Sequence, residues 1–182
     1  MTDLEALVIA AYVFADEYPV PARGGRPALT SDAELVALAV AQAAIGISSD
    51  RQFLGLIERV LPGWFPHLPG QSQYNRRLRG LVELISIVQQ RLAGEGTSLL
   101  TPDKTRTAAN LGRERALASR RLVIESVFSN LKEQMRLERH LARTPAGLVV
   151  RIAQRILALT IGMLLNTLDG RPARALAAYD GR

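Results

Sequence analysis

Apolar residues recur every three or four positions along most of this chain, and proline or glycine separates one apolar segment from the next. This spacing places apolar side chains on one face of an α-helix, whereas a half-buried strand would alternate with a period of two. The pattern predicts a mainly α-helical fold with at most one or two short strands, the strand candidate being residues 98–101. Six helices are expected, over residues 4–14, 31–45, 49–61, 72–92, 113–139 and 144–168.

Several helix starts are marked by capping residues. Ser31 is followed three positions later by Glu34, and Ser49 by Gln52, which is the spacing of a capping box. Thr144 precedes a proline, the favoured first residue of a helix. These signals predict where three of the helices begin.

The composition excludes several kinds of site. The chain has no cysteine and only two histidines, His67 and His140. Disulfide frameworks, thiolate zinc sites and cysteine nucleophiles are therefore excluded, and a histidine metal cage is not expected. The opening residues lack the basic flank of a signal peptide, and the longest apolar run, residues 156–165, has about half the length that a bilayer span needs. We expect a cytoplasmic protein without a membrane partner.

Charge is distributed unevenly along the chain. Residues 1–50 contain seven acidic residues and two arginines, whereas residues 51–182 contain 21 basic and ten acidic residues. All the basic residues except Lys104 and Lys132 are arginines. Arginine binds phosphate through a planar fork, and an asymmetric basic body suits a polyanionic partner such as double-stranded DNA. A GC-rich codon bias that favours arginine at solvent-exposed positions would give the same composition, so both interpretations stay open.

The start of the fourth predicted helix, residues 72–79, combines arginines with amide side chains. Helix-turn-helix proteins insert such a helix start into the major groove, where arginine reads guanine and asparagine reads adenine. The predicted DNA contacts here are Asn75, Arg76, Arg77 and Arg79. The alternative is an amphipathic helix whose polar end is simply solvated.

A second polar constellation lies in the fifth predicted helix. At 100° per residue, Arg121 lies one turn before Glu125 and Lys132 lies two turns after it, so all three share a face opposite an apolar stripe at positions 124, 127, 131 and 135. A carboxylate between two cations stays ionised, can bind a hard cation and is expected to be exposed. The predicted DNA contacts of this segment are Arg120, Arg121 and Lys132. An ordinary ion pair on a solvated helix is the alternative.

The spacing Arg-x3-Glu-x6-Lys, formed by Arg121, Glu125 and Lys132, resembles the C-terminal catalytic motif of insertion-sequence transposases of the DDE class. A tyrosine usually stands three residues before that arginine, and Ala118 occupies the position here. Further segments resemble the opening and closing regions of the same family in the right order: residues 29–36, 74–78, 99–102, 137–140 and 151–160.

The resemblance implies a ribonuclease-H-like core in which two aspartates join Glu125 to hold two divalent ions, Mg²⁺ or Mn²⁺. It also implies binding to transposon ends, as a homodimer or together with a full-length transposase. The β-rich block that carries both aspartates in the family has no counterpart here, since no aspartate occurs between Asp50 and Asp103. Catalysis is therefore expected to be incomplete, with Glu125 a vestigial metal ligand.

The element pattern and this resemblance together predict an organisation in two parts. Residues 1–92 would form a helical DNA-binding region, and residues 93–182 a remnant of the transposase catalytic domain, joined at a poorly packed connection over residues 93–107. The function expected is that of a DNA-binding, catalytically incomplete relative of DDE transposases. A helix-turn-helix regulatory module without catalytic activity is the alternative.

Overall fold

The computed structural model describes residues 2–18, 28–93 and 123–181, and helices dominate these ranges. The helices are α1 (Asp3–Asp16), α2 (Asp32–Ile45), α3 (Asp50–Val60), α4 (Gln71–Arg79), α5 (Val82–Ala93), α6 (described over residues 123–134) and α7 (Pro145–Leu168). Short 3-10 turns cover Leu137–Arg139 and Leu176–Tyr179. No strand occurs in the described ranges, so the expected mainly α-helical fold is confirmed. The strand candidate at residues 98–101 and the connection over residues 94–107 lie outside them.

The capping signals act as predicted at the starts of α2 and α7, and at α3 the Ser49 hydroxyl accepts from the Gln52 amide at 3.4 Å, which is one of the two bonds of the predicted capping box. The Ser31 hydroxyl accepts a hydrogen bond from the Glu34 amide at 3.0 Å, and the Glu34 carboxylate accepts one from the Ser31 amide. Thr144 accepts from the Gly147 amide at 3.1 Å, with proline at the first position of α7. These bonds are local, because donor and acceptor lie within one helical turn.

Helix α2 lies at the centre of the fold. Every residue from position 35 to position 44 is buried, and half of these residues are alanine. Small side chains let neighbouring helices approach closely, and α1 and α7 both pack against α2. The helix therefore forms the middle of a core to which both ends of the chain contribute.

Helix α7 packs against α1, α2, α4 and α5. By length and composition alone it could cross a membrane, but half of its apolar window is buried against the rest of the protein. Close packing continues at Gly162, where an added Cβ would lie 2.8 Å from a methyl group of Leu176. The predicted DNA-binding region and the predicted catalytic remnant thus share one hydrophobic core, through α7.

Helices α2 and α3 meet nearly at a right angle. Residues 46–49 join them, and the two helices are bent by 96°. Gly46 ends α2 with a φ of 77°, a left-handed conformation that suits glycine. An added Cβ there would lie 2.2 Å from the carbonyl oxygen of Gln134, so both the backbone and the neighbouring α6 require glycine.

Two predicted helix bounds are wrong. The single helix expected over residues 72–92 is interrupted after Arg79, because Gly80 and Leu81 make short turn hydrogen bonds to Arg77 and Leu78. The helix expected to reach residue 139 passes into a π-helical turn at Asn130–Gln134 and ends at Met135, followed by Arg136 with a φ of 51°. Tertiary contacts of Gln134 and Met135 hold this early end.

Candidate nucleic-acid interface

The predicted catalytic residues lie at the surface where they are described. Glu125 is exposed on α6, as expected. Lys132 lies in the π-helical turn, and its ammonium group is 2.9 Å from the Glu138 carboxylate. Arg120 and Arg121 are outside the described residues, so the common face of Arg121, Glu125 and Lys132 stays a prediction.

The apolar stripe expected on α6 is only partly buried. Leu131 and Met135 are in the core and Val127 is half-buried, whereas Ile124 is 52% exposed in the described structure. The inner end of α6 is held by polar contacts as well. Gln134 donates from its amide group to the carbonyl oxygens of Ala44 and Leu176, at 3.3 and 2.7 Å.

The four predicted DNA contacts on α4 divide into two pairs. Arg76 and Arg79 are exposed. Arg77 is half-buried and donates to the Thr30 carbonyl and the Asp32 carboxylate, both at 2.6 Å. Asn75 faces inward as well, with its amide nitrogen 2.6 Å from an Asp50 carboxylate oxygen. The helix therefore presents two of its four predicted contacts to solvent and uses the other two inside the protein.

Asp50 and Arg151 form the centre of a buried polar network that joins four helices. One guanidinium nitrogen of Arg151 donates to both carboxylate oxygens of Asp50. Gln42 donates to the same carboxylate at 2.8 Å and accepts from the Tyr74 hydroxyl at 3.0 Å. A buried ion pair is tolerated when further hydrogen bonds satisfy its remaining groups, and this network supplies them.

Arg155 adds a second buried cation one turn further along α7. It donates to the Met135 carbonyl at the end of α6 and to the Arg151 carbonyl, each at 2.8 Å. Burial, together with the nearby Arg151, lowers the pKa of Arg155 to about 10. The bond to the Met135 carbonyl fixes the end of α6 against α7.

Tyr74 is the other residue of the network with a shifted pKa. Burial and the Asp50 charge raise the pKa of Tyr74.

This network was not predicted from the sequence. Asp50 follows a serine cap and looks like an ordinary first-turn acid, which is favourable at any helix start. One signal was available: Arg151 and Arg155 interrupt an otherwise apolar helix one turn apart, and buried arginines need partners. That signal predicts a buried polar cluster but does not identify Asp50 as its acid.

A cleft of about 450 Å³ opens beside the network. It lies where the starts of α3 and α4 meet the loop before α7, and Arg79 and Arg143 line it, with Ser49 at its α3 side. Both arginines are exposed. The cleft therefore carries positive charge at the surface.

The outer face of α3 is polar and adjoins this cleft. Arg51, Gln52, Gly55 and Arg59 are exposed there and line a shallow groove, with Ser49 common to the groove and the cleft. The inner face buries Phe53 and Ile57 in the core. None of the DNA contacts expected from the sequence lies on α3.

The acidic and histidine side chains of the described residues are scattered. In residues 2–18, 28–93 and 123–181, no three histidine, aspartate or glutamate side chains lie close enough together to hold an ion. A two-metal site needs several carboxylates in fixed positions, and Glu125 is the one family-implied ligand among these residues. The described residues therefore do not fit a pair of Mg²⁺ or Mn²⁺ ions.

Comparison with known proteins identifies the family. The family model described as Transposase DDE domain matches residues 63–161, which include α4, α5, α6 and most of α7. No match was found among curated proteins or among solved structures. Because the matched segment is more than half of the chain, the protein belongs to the transposase DDE domain family.

Proposed function

We propose that this protein binds double-stranded DNA at transposon ends and does not itself cleave or join it. The observation that carries the proposal is a group of exposed arginines on a chain of the transposase DDE domain family: Arg51 and Arg59 line the α3 groove, and Arg79 and Arg143 line the adjoining cleft. The exposed basic side chains in the described ranges are Arg51, Arg59, Arg76, Arg79, Arg91, Lys132, Arg136, Arg139, Arg143 and Arg171. Arginine-rich surfaces bind duplex DNA mainly through backbone phosphates.

Catalytic incompleteness is the second part of the proposal. The resemblance points to the Tyr-Arg-Glu-Lys branch with its catalytic middle deleted, and the sequence from residue 51 to residue 102 contains no aspartate. Glu125 would then be the remaining member of an acidic triad. One carboxylate does not hold two hydrated divalent ions in the geometry that in-line displacement requires.

A protein of this kind would occupy transposon ends as a homodimer or beside a full-length transposase, and so compete with catalysis. A regulatory helix-turn-helix module is the second candidate, and the 96° bend between α2 and α3 favours it. The two candidates differ in target: the first prefers the inverted repeats that flank the gene, and the second prefers another sequence.

The test combines a binding assay with a cleavage assay. Purified protein is titrated into fluorescent duplexes that carry the flanking inverted repeat or a scrambled sequence, and into supercoiled plasmid with millimolar Mg²⁺ or Mn²⁺. We expect binding that weakens with salt, with a log–log slope of about −0.9 per phosphate neutralised, and no nicking. Nicking that disappears in Glu125→Gln would overturn catalytic incompleteness. Absence of binding would overturn the whole proposal.

A further inference from the structure

We propose that α2 and α3 form a helix-turn-helix whose second helix, α3, enters the major groove of DNA and reads its sequence. The inference rests on the proposed DNA binding and names the element responsible for sequence preference. Helix-turn-helix units consist of two helices at about 90–120° joined by three or four residues, often with a glycine. The 96° bend, the connection over residues 46–49 and Gly46 meet these requirements.

The turn is held rigidly, as a recognition unit requires. The amides of Gly46 and Ile47 both donate to the Gln42 carbonyl, at 3.2 and 3.3 Å. Behind the turn, the Gln134 carbonyl packs against Gly46 where any Cβ would collide. At the start of α3, Asp50 is paired with Arg151 of α7. The direction of α3 is thus fixed by α2, α6 and α7 together.

The outer face of α3 has the chemistry of a reading surface. Arg51 and Gln52 lie at its amino-terminal end, the part of a recognition helix that contacts base edges. Arginine pairs with guanine and glutamine with adenine, and Arg59 extends the face two turns on. Glu58 is exposed at the edge of this face, where a carboxylate could accept from cytosine.

Gly55 lies in the middle of this face. Apart from its chain neighbours and the backbone of its own helix, no atom of the described structure lies within 4 Å of the position that its Cβ would occupy, and its φ is not left-handed. A glycine in a helix interior costs stability relative to alanine. Close approach of another molecule to the helix backbone is a physical reason for retaining it there.

The neighbouring cleft supplies phosphate contacts for the same docking. Arg79 and Arg143 line it, and Ser49 joins it to the α3 groove, so both surfaces can face one duplex. Helix α4 has a supporting role in this arrangement. Its Asn75 and Arg77 bind Asp50 and Asp32 inside the protein, which removes half of the side chains that could have read bases.

The experiment selects the preferred duplex from a random-sequence pool with the full chain, and then measures binding of variants to that duplex and to a scrambled one. Arg51→Ala with Gln52→Ala should weaken binding to the selected duplex by about tenfold or more and change the sequence selected. Gly55→Leu should have the same two effects, because the larger side chain would block the close approach of DNA to α3. Arg91→Ala removes an exposed arginine on α5, so it should weaken binding to the selected and the scrambled duplex alike and leave the selected sequence unchanged.

Folding of each variant is checked by circular dichroism and thermal unfolding, and Gly55→Ala serves as the small-side-chain control for Gly55→Leu. If the α3 variants select the same sequence as wild type, or if Arg76→Ala is the one variant that changes the selected sequence, α3 is not the reading helix. The proposed DNA binding would still stand in that case. If wild type binds no duplex, both proposals fail.

Discussion

Arg151 and Asp50 are 101 positions apart in the sequence, yet one guanidinium nitrogen of Arg151 lies 2.5 Å from both carboxylate oxygens of Asp50. Their side chains are 9% and 5% exposed. Asp50 begins α3 and Arg151 lies in the first part of α7, so the pair ties the proposed reading helix to the centre of the core. The position of α3 at the candidate DNA-binding surface therefore depends on this buried ion pair.

Asp50→Ala should destabilise the protein by about 3–5 kcal/mol, because it leaves Arg151 buried without its counter-charge and beside Arg155. The free energy of unfolding in urea measures this effect. Asp3→Ala is the matched control, since Asp3 pairs with Arg171 at the surface, 2.7 Å away, where solvent screens the pair. Equal urea midpoints for the two variants would show that the buried pair contributes little.

Gly46→Ala should cost more stability than Gly63→Ala. Both glycines have a φ of 77°, so both substitutions carry the left-handed backbone penalty of about 1–2 kcal/mol. Gly63 has open space around its Cβ position, whereas the Cβ at residue 46 would lie 2.2 Å from the Gln134 carbonyl oxygen. Thermal unfolding of the two variants separates the backbone penalty from the collision. Similar losses in both would mean that α6 moves away at little cost.

Tyr74 should make the protein lose stability above pH 10. Burial raises its pKa in the folded state above the ordinary value of 10.0, so the unfolded chain releases this proton first and unfolding becomes more favourable as pH rises. One such group changes the free energy of unfolding by about 1.4 kcal/mol per pH unit.

Urea unfolding of wild type and Tyr74→Phe at pH 9 and pH 11 measures this contribution. Both proteins contain Arg155, so the difference between them reports the contribution of Tyr74 alone. The lowered pKa of Arg155 by itself would make the folded protein more stable as pH rises, which is the opposite of the effect of Tyr74. We expect a steeper loss of stability in wild type. Parallel pH profiles would refute the role of Tyr74.

Arg76→Ala and Arg77→Ala should differ in which property they change. Arg76 is exposed, so its removal should lower the salt slope of DNA binding by about one if it contacts a phosphate. Arg77 bonds Thr30 and Asp32, so its removal should reduce stability by about 1–3 kcal/mol and leave the slope unchanged. Anisotropy titrations at several salt concentrations and urea unfolding test the pair. A lower slope in Arg77→Ala would mean that Arg77 leaves Asp32 to bind DNA.

The sequence alone determined the features whose causes lie within one helical turn. The helical class follows from the apolar spacing, and the starts of α2 and α7 follow from Ser31 with Glu34 and from Thr144 with its proline. Capping bonds join atoms three residues apart, so no distant part of the chain is needed to form them. The family was also recognisable from the sequence, because its motifs are short stretches of residues whose spacing and order can be read without knowing the fold.

Only the tertiary structure decided the partners of the polar side chains. Asn75 and Arg77 look like DNA contacts in the sequence, but folding brings Asp50 and Asp32 beside them. The early end of α6 depends on Arg155 and Gly46, which are distant in the sequence. A charged group binds whichever opposite charge folding places within reach, and burial strengthens the requirement for a partner, so its role cannot be read from its neighbours in sequence.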